Sequence, residues 1–331
     1  APLELLVGEI RRHPDAAREA LEYLMRQSML RQEGTSETQR RGREASPLFA
    51  ADRLARGYFE AWTDPFLIQE LERFESWSLR ERNLKLSADS LRRSGNEQYQ
   101  VEGVSSALEE WRASLEYSET LDDISGTAKS LGNIGAGFYV VGQPDSARAY
   151  LSEAYGLATE AGDLRTAASA ITNLANLDFD RGYLTEAAAK YSQAVIILSR
   201  TGAHRNLSSV HHNLGLISFD LGDLSSARSA LEESITLSRL HGYPEDEAEG
   251  LASLADVAQA EGEYGEAAQL LEHGMMLSKE AGSRVAEAGI LHSLGNLNLA
   301  RGDYPKAESF FEKAAETYSE LDRLPDAVGV R

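Results

Sequence analysis

The 331-residue chain contains no cysteine. A disulfide framework, a thiolate metal site and a cysteine nucleophile are therefore all excluded. No apolar run reaches 18 residues, so no transmembrane helix is expected, and no signal peptide is visible. Basic residues are in deficit, with 33 Lys and Arg against 53 Asp and Glu for a net charge of −20. A basic stripe of the kind that grips phosphate backbones is missing, which argues against nucleic acid as a partner. With no cysteine, no visible signal peptide and no transmembrane segment, the expected location is cytoplasmic. Tryptophan is scarce too: Trp62, Trp77 and Trp111 are the three, and all precede residue 112.

Glycine is not scarce, and its spacing is regular. Gly142, Gly182, Gly222, Gly262 and Gly302 stand 40 residues apart, as do Ala147, Ala187, Ala227, Ala267 and Ala307. Gly162, Gly202, Gly242 and Gly282 keep the same step. A period of this length marks stacked supersecondary units. Within the unit 206–245, Leu207, Val210, Leu214, Ile217 and Leu221 fall on one helix face, and Ala227, Leu231 and Ile235 fall on one face of a second helix. Gly222 lies between them and Gly242 after them, where a left-handed backbone ends a helix without steric cost. Neither helix buries its stripe alone, so neighbouring pairs must stack into one continuous core. The series Gly135, Ala175, Gly215, Ala255 and Gly295 is small because paired helices approach closely there. Larger residues, from Ile134 to Leu294 on first helices and from Leu151 to Phe311 on second helices, fill the seam.

The same step divides the chain. Residues 1–85 read as an N-terminal helical capping region, with helices on either side of Pro14, a flexible loop near 32–47 and a break at Thr63-Asp64-Pro65. Six units follow, at about 86–125, 126–165, 166–205, 206–245, 246–285 and 286–325. Residues 326–331 read as the start of a further helix that is cut short. The acidity belongs to the units: residues 1–85 hold 14 basic and 15 acidic residues, and the remaining 19 and 38 lie beyond.

Ser293-Leu294-Gly295-Asn296, then Gly302-Asp303-Tyr304, Ala307, Phe311 and Ala314, resemble the pattern of the tetratricopeptide repeat family. The resemblance extends over about Leu86 to Leu324. It departs from that pattern in unit length, 40 residues against the usual 34, and in its aromatics. Asp178, Ser218 and Asn298 stand where the family places an aromatic, while Tyr99, Tyr139, Phe179 and Phe219 stand one residue later. The fold it implies is all-α: a right-handed α-solenoid of helix-turn-helix repeats with an N-terminal helical cap.

No pattern of catalysis emerges, and no cofactor or metal is expected. His211 and His212 are adjacent and point about 100° apart on a helix, too far to chelate together. Gly132, Gly135 and Gly137 fall inside a helix and make no nucleotide loop. The acidic run from Pro244 to Glu249 opens a helix, where negative charge suits the macrodipole. It lacks the alternating oxygens of a calcium loop.

Binding is the remaining reading. The resemblance places the first helices on the concave side of the solenoid, and a polar ladder runs along them: Asn133, Asn173, Asn213, Ser253 and Ser293. In the family, kinesin light chains included, an asparagine here often holds the backbone of a bound peptide, and an amide offers it both donor and acceptor. Asn176 and Asn296 flank the ladder with Lys129, Asp180, Asp220 and Asp256, and Tyr139, Phe179 and Phe219 add a row open to groove or seam. The expected function is a protein-interaction scaffold or sensor that takes a partner's peptide segment, for which the acidic surface favours a basic one. The chain's own N-terminal segment is a second candidate occupant. A further resemblance rests on Arg11-Arg12-His13-Pro14-Asp15-Ala16-Ala17, on Trp111-Arg112 and on the long repeats. It is to bacterial repeat proteins that carry a caspase-like CHAT protease domain after the repeats, and it implies a regulatory region serving a C-terminal effector domain. Self-association through an uncapped end is the third alternative.

Overall fold

Each apolar stripe becomes a helix and each punctuating glycine a turn. A computed structural model describes residues 3–32 and 46–323. Ahead of the repeats come α1 (Leu3–Arg12), α2 (Pro14–Gln32), α3 (Pro47–Trp62) and α4 (Phe66–Ser76). The repeats pair α5 (Leu79–Glu102) with α6 (Val104–Thr120), α7 (Ile124–Val140) with α8 (Pro144–Glu160), and α9 (Leu164–Asp180) with α10 (Leu184–Leu198). Then follow α11 (His204–Asp220) with α12 (Leu224–His241), α13 (Pro244–Ala260) with α14 (Tyr264–Ala281), and α15 (Arg284–Ala300) with α16 (Tyr304–Arg323). None of these helices is long and apolar enough to cross a membrane.

The turns form as the residue types dictate. Gly222 adopts φ +78°, and the Asp223 amide then donates to the Ser218 carbonyl at 2.9 Å. The Asp223 carboxylate in turn caps α12 through the Ser226 amide at 3.1 Å. Near the first repeat the register differs from the spacing. Helix α5 begins at Leu79, seven residues before the expected boundary, because Ser78 and Glu81 form a reciprocal capping box there. Its turn glycine is Gly103, at φ +84°, immediately after Glu102. Thr63 ends α3 in the left-handed region, and the Asp64 carboxylate, one residue ahead of the Pro65 N-cap, accepts from the Phe66 amide at 3.0 Å. Between α2 and α3, the rest of the expected loop lies outside the described residues, as does the segment 326–331.

The chain forms two compact units, one of Ala1–Ala170 with Ile196–Ala203 and one of Ile171–Val195 with His204–Arg331. In the first, Ile10, Leu21, Met25, Tyr58, Phe66, Leu71 and Phe74 build a core among α1 to α4. A second cluster, around Ala107, Trp111 and Ile134, joins α6 and α7. In the second unit, Ala227, Leu231, Ile235, Leu251 and Leu254 form the seam between α12 and α13. Ala255, Ala267, Leu271 and Ile290 continue it through α14 and α15. The small-residue series is sterically required: a Cβ on Gly215 would stand 2.6 Å from Leu231 Cγ, and one on Gly135 would stand 2.7 Å from Leu151 Cγ. First helices of successive repeats also touch, α5 against α7 in the first unit, and α11 against α13 and α13 against α15 in the second. These contacts create the faces on which the polar residues meet.

Candidate binding faces on the first helices

Residues four and three apart share a helix face. On α7 this stripe reads Lys129, Asn133, Ala136; on α11, Ser209, Asn213, Leu216; on α13, Glu249, Ser253, Asp256; and on α15, Gly289, Ser293, Asn296. Asn173 and Asn176 hold the same places on α9.

In the first unit the stripe is partly covered by the chain's own N-terminal helices. Lys129 lies 3.7 Å from Glu70 of α4 and 3.5 Å from Asp163, with its ammonium 5.1 Å from the Phe66 ring centroid. Asp163 is fully buried at the start of α9 and receives Arg18 of α2 at 3.2 Å, Ser125 Oγ at 3.3 Å and Thr166 Oγ1 at 2.8 Å. One repeat earlier, Asp123 is equally buried and takes Lys85 at 2.8 Å, with Arg73 of α4 at 3.6 Å. Lys85 also meets Asp89 at 3.2 Å, and Arg92 links Asp89 to Glu22 of α2. Burial alone would raise these carboxyls. The surrounding cations outweigh it: Lys129 and Arg18 hold Asp163 well below the ordinary carboxylate range, and Lys85 and Arg92 hold Asp89 at about 2.

Also in the first unit, Asn133 Nδ2 donates to Asn96 Oδ1 of α5 at 2.7 Å, and Trp111 Nε1 donates to the same oxygen at 2.9 Å. Asn96, Tyr99, Gln100, Trp111, Asn133 and Val140 line a pocket of about 270 Å³ together with Ala136 and Gly137.

The second unit repeats that arrangement 80 residues on. The Tyr191 hydroxyl donates to Asn176 Oδ1, and Asn213 Nδ2 donates to the Tyr191 hydroxyl at 3.3 Å. A further 80 residues along, Leu271 replaces the aromatic donor, and Asp256 accepts one neutral hydroxyl, that of Ser293, at 3.3 Å. Ser253 pairs instead with His212 Nε2 at 2.8 Å. Burial raises Asp256 from the ordinary value against the hydrogen bond from Ser293, and burial with Glu245 and Asp246 does the same to Glu249. His212 is pulled down to about 4 by burial. Asn173 and Asn296 make no side-chain hydrogen bond among the described residues.

The aromatic row divides. Phe219 packs on the Ala227–Leu231–Leu254 seam, while Tyr139 and Phe179 are half-buried. Asp178, at the family's aromatic place, is buried and meets Lys190 at 2.5 Å. Spacing did not single out Asn96, Asp123 or Asp163. The available signals were the 40-residue step between the two aspartates and the 80-residue step between Trp111 and Tyr191.

Helix pairs in a 40-residue repeat, with small residues at the seam and polar stripes on the first helices, define a tetratricopeptide-type helical repeat protein. The MalT-like TPR region family model matches residues 99–308, and the chain belongs to that family. No curated protein sequence matches it. Among solved structures it is similar to BtubC (BKLC) from P. vanneervenii, at 17% identity and a TM-score of 0.54, covering 69% of this chain and 92% of that one. A Rap protein complexed with competence and sporulation factor is similar at 15% identity and a TM-score of 0.55, covering 98% and 95%. Aspartyl phosphate phosphatase F from Bacillus subtilis is similar at 14% identity and a TM-score of 0.55, again covering 98% and 95%. At these identities the likeness is one of fold.

Proposed function

We propose that the chain is a protein-binding module whose second unit takes a basic polypeptide segment on the first-helix face of α11, α13 and α15. The observation that carries this reading is the pair Glu249 and Asp256. They lie seven residues apart on one face of α13, both are raised from the ordinary carboxylate value by burial, and neither makes a direct ion pair among the described residues, Arg205 being engaged by Asp246 and acting on Glu249 only from further off. A desolvated carboxylate without a cation is costly, and an incoming Lys or Arg relieves that cost. Residues 206–331 hold nine Lys and Arg against 22 Asp and Glu, so long-range attraction favours the same partner. Asn173, Asn176, Asn213, Ser253, Ser293 and Asn296 are the proposed polar contacts along the segment, and Phe179 its apolar edge.

The test is fluorescence anisotropy with a labelled Lys/Ala peptide and a Glu/Ala control of equal length. The Lys/Ala peptide is expected to bind with an affinity that falls steeply with salt. The double variant Glu249→Gln/Asp256→Asn is expected to weaken it about tenfold, as is Asn173→Ala/Asn213→Ala. Equal binding of the two peptides, or indifference to both variants, would overturn the reading.

A further inference from the structure

The pocket between α5, α6 and α7 in the first unit is a separate feature from the acidic face, and its hydrogen-bonding valence can be read closely. Trp111 Nε1 can only donate. The Asn96 atom 2.9 Å from it is therefore the amide oxygen, which settles the orientation of that side chain. The Asn133 atom 2.7 Å from the same oxygen must then be its NH2 group. Two consequences follow. The Asn96 NH2 group and the Asn133 carbonyl oxygen have no partner among the described residues, and both belong to the wall of one pocket. Gln100, on the same wall, is exposed and likewise makes no hydrogen bond among the described residues.

The remaining walls are the rings of Tyr99 and Trp111, 6.0 Å apart between centroids and tilted by 40°, together with Val140. Ala136 and Gly137 complete the lining, and Gly137 lets α7 pack closely, since a Cβ there would stand 3.0 Å from Val104 and 3.1 Å from the Trp111 ring. No charged residue lines the pocket. A charged group entering it would lose water without gaining a counter-ion, and a purely apolar one would leave the two amide valences unmet.

We infer that this pocket binds a primary carboxamide, presented by a Gln or Asn side chain of a partner polypeptide. A primary carboxamide carries an N–H and a C=O on one edge and is uncharged, which matches one free acceptor and one free donor. A trans peptide unit directs its N–H and C=O to opposite sides. The half-buried Tyr99 ring, backed by the buried Trp111, gives the amide an aromatic wall, and the pocket volume admits a side chain of this size.

The experiment follows the Trp111 indole resonance in a ¹H–¹⁵N spectrum of the full chain. Only three indole signals exist, and Trp111→Phe assigns the one of interest. The probes are the tripeptides Ala-Gln-Ala, Ala-Glu-Ala and Ala-Met-Ala, each N-acetylated and closed by an N-methylamide so that no other primary carboxamide is present, with propionamide alone as a fourth probe. Ala-Gln-Ala is expected to move the Trp111 signal saturably, at least about tenfold more tightly than the Glu or Met peptide, while Trp62 and Trp77 stay in place. Asn133→Leu is expected to abolish that response; its unchanged Trp62 and Trp77 signals report that the fold persists. Equal binding of propionamide would keep the carboxamide site and overturn the polypeptide as its carrier. Equal responses to the three tripeptides, or none to any probe, would overturn the proposal altogether.

Discussion

Arg18 Nη1 donates to Asp163 Oδ1 at 3.2 Å across 145 residues of sequence. The carboxylate is fully buried, and the guanidinium stacks 4.7 Å from the Phe66 ring centroid. This pair ties the N-terminal helices to the start of α9. Removing Asp163 takes the nearest carboxylate from both Arg18 and Lys129 and leaves Arg18 only the longer contact to Asp64 at 3.8 Å. Asp163→Ala is accordingly expected to cost roughly 3–5 kcal/mol in urea unfolding of the whole chain, with Trp62 and Trp77 reporting the change. A variant as stable as the parent would show that the pair contributes nothing net.

The same carboxylates set the acid limit. Asp163 and Asp89 are depressed in the folded state, so their contribution is complete above the ordinary carboxylate pKa of about 4. It is lost as pH falls through the folded values. Circular dichroism is expected to show the melting temperature falling below about pH 4, and Asp89→Asn should flatten that fall at an overall cost in stability.

His212 works over a higher range. Its folded pKa of about 4, against an ordinary 6.5, means that the unfolded chain takes up the proton first. Burial is the cause, with Asp246 acting weakly the other way. Stability from this group is present above pH 6.5 and declines down to about pH 4, by roughly 3 kcal/mol in total. His212→Gln retains a partner for Ser253 and cannot titrate. Denaturant titrations should show the parent losing stability relative to His212→Gln as pH falls from 6.5 to about 4, and parallel curves would count against the assignment.

Gly215 tests the seam. Ala is the better helix former by about 1 kcal/mol. A Cβ here, however, meets Leu231 Cγ at 2.6 Å and the Ala227 carbonyl oxygen at 3.3 Å. Overpacking is expected to prevail, so that Gly215→Ala is net destabilising by about 1–2 kcal/mol in thermal unfolding. Ala at the equivalent positions Ala175 and Ala255 makes the contrast internal to the chain. A gain in melting temperature would mean that Leu231 repacks freely.

Cation binding at the acidic face has a proton signature. Glu249 and Asp256 are raised from the ordinary carboxylate value, and a bound Lys or Arg favours their ionised forms. Binding of the Lys/Ala peptide near pH 5 is therefore expected to release protons. Calorimetry in two buffers of different ionisation enthalpy measures the number released. Release that persists in Glu249→Gln/Asp256→Asn would point to other groups.

Much of this molecule could be read directly from residue order. Glycines at a 40-residue step, apolar residues three and four apart and small residues at the seam are local or periodic signals, and each acts within one helix or between helices adjacent in sequence. Helix formation, turn chemistry and close pairing follow from them without reference to the rest of the chain. The partnerships of polar groups do not. Asn133 and Asn213 looked alike as rungs of one ladder, yet one meets Asn96 and the other meets Tyr191. Lys129 looked like a flank of an open groove and is instead enclosed by Glu70, Asp163 and Phe66. Whether an amide or a charge is satisfied depends on which side chain arrives from another helix, at hydrogen-bonding distance and with the right donor or acceptor. That is decided by tertiary packing, because periodicity specifies the face on which a residue lies and leaves open what stands opposite.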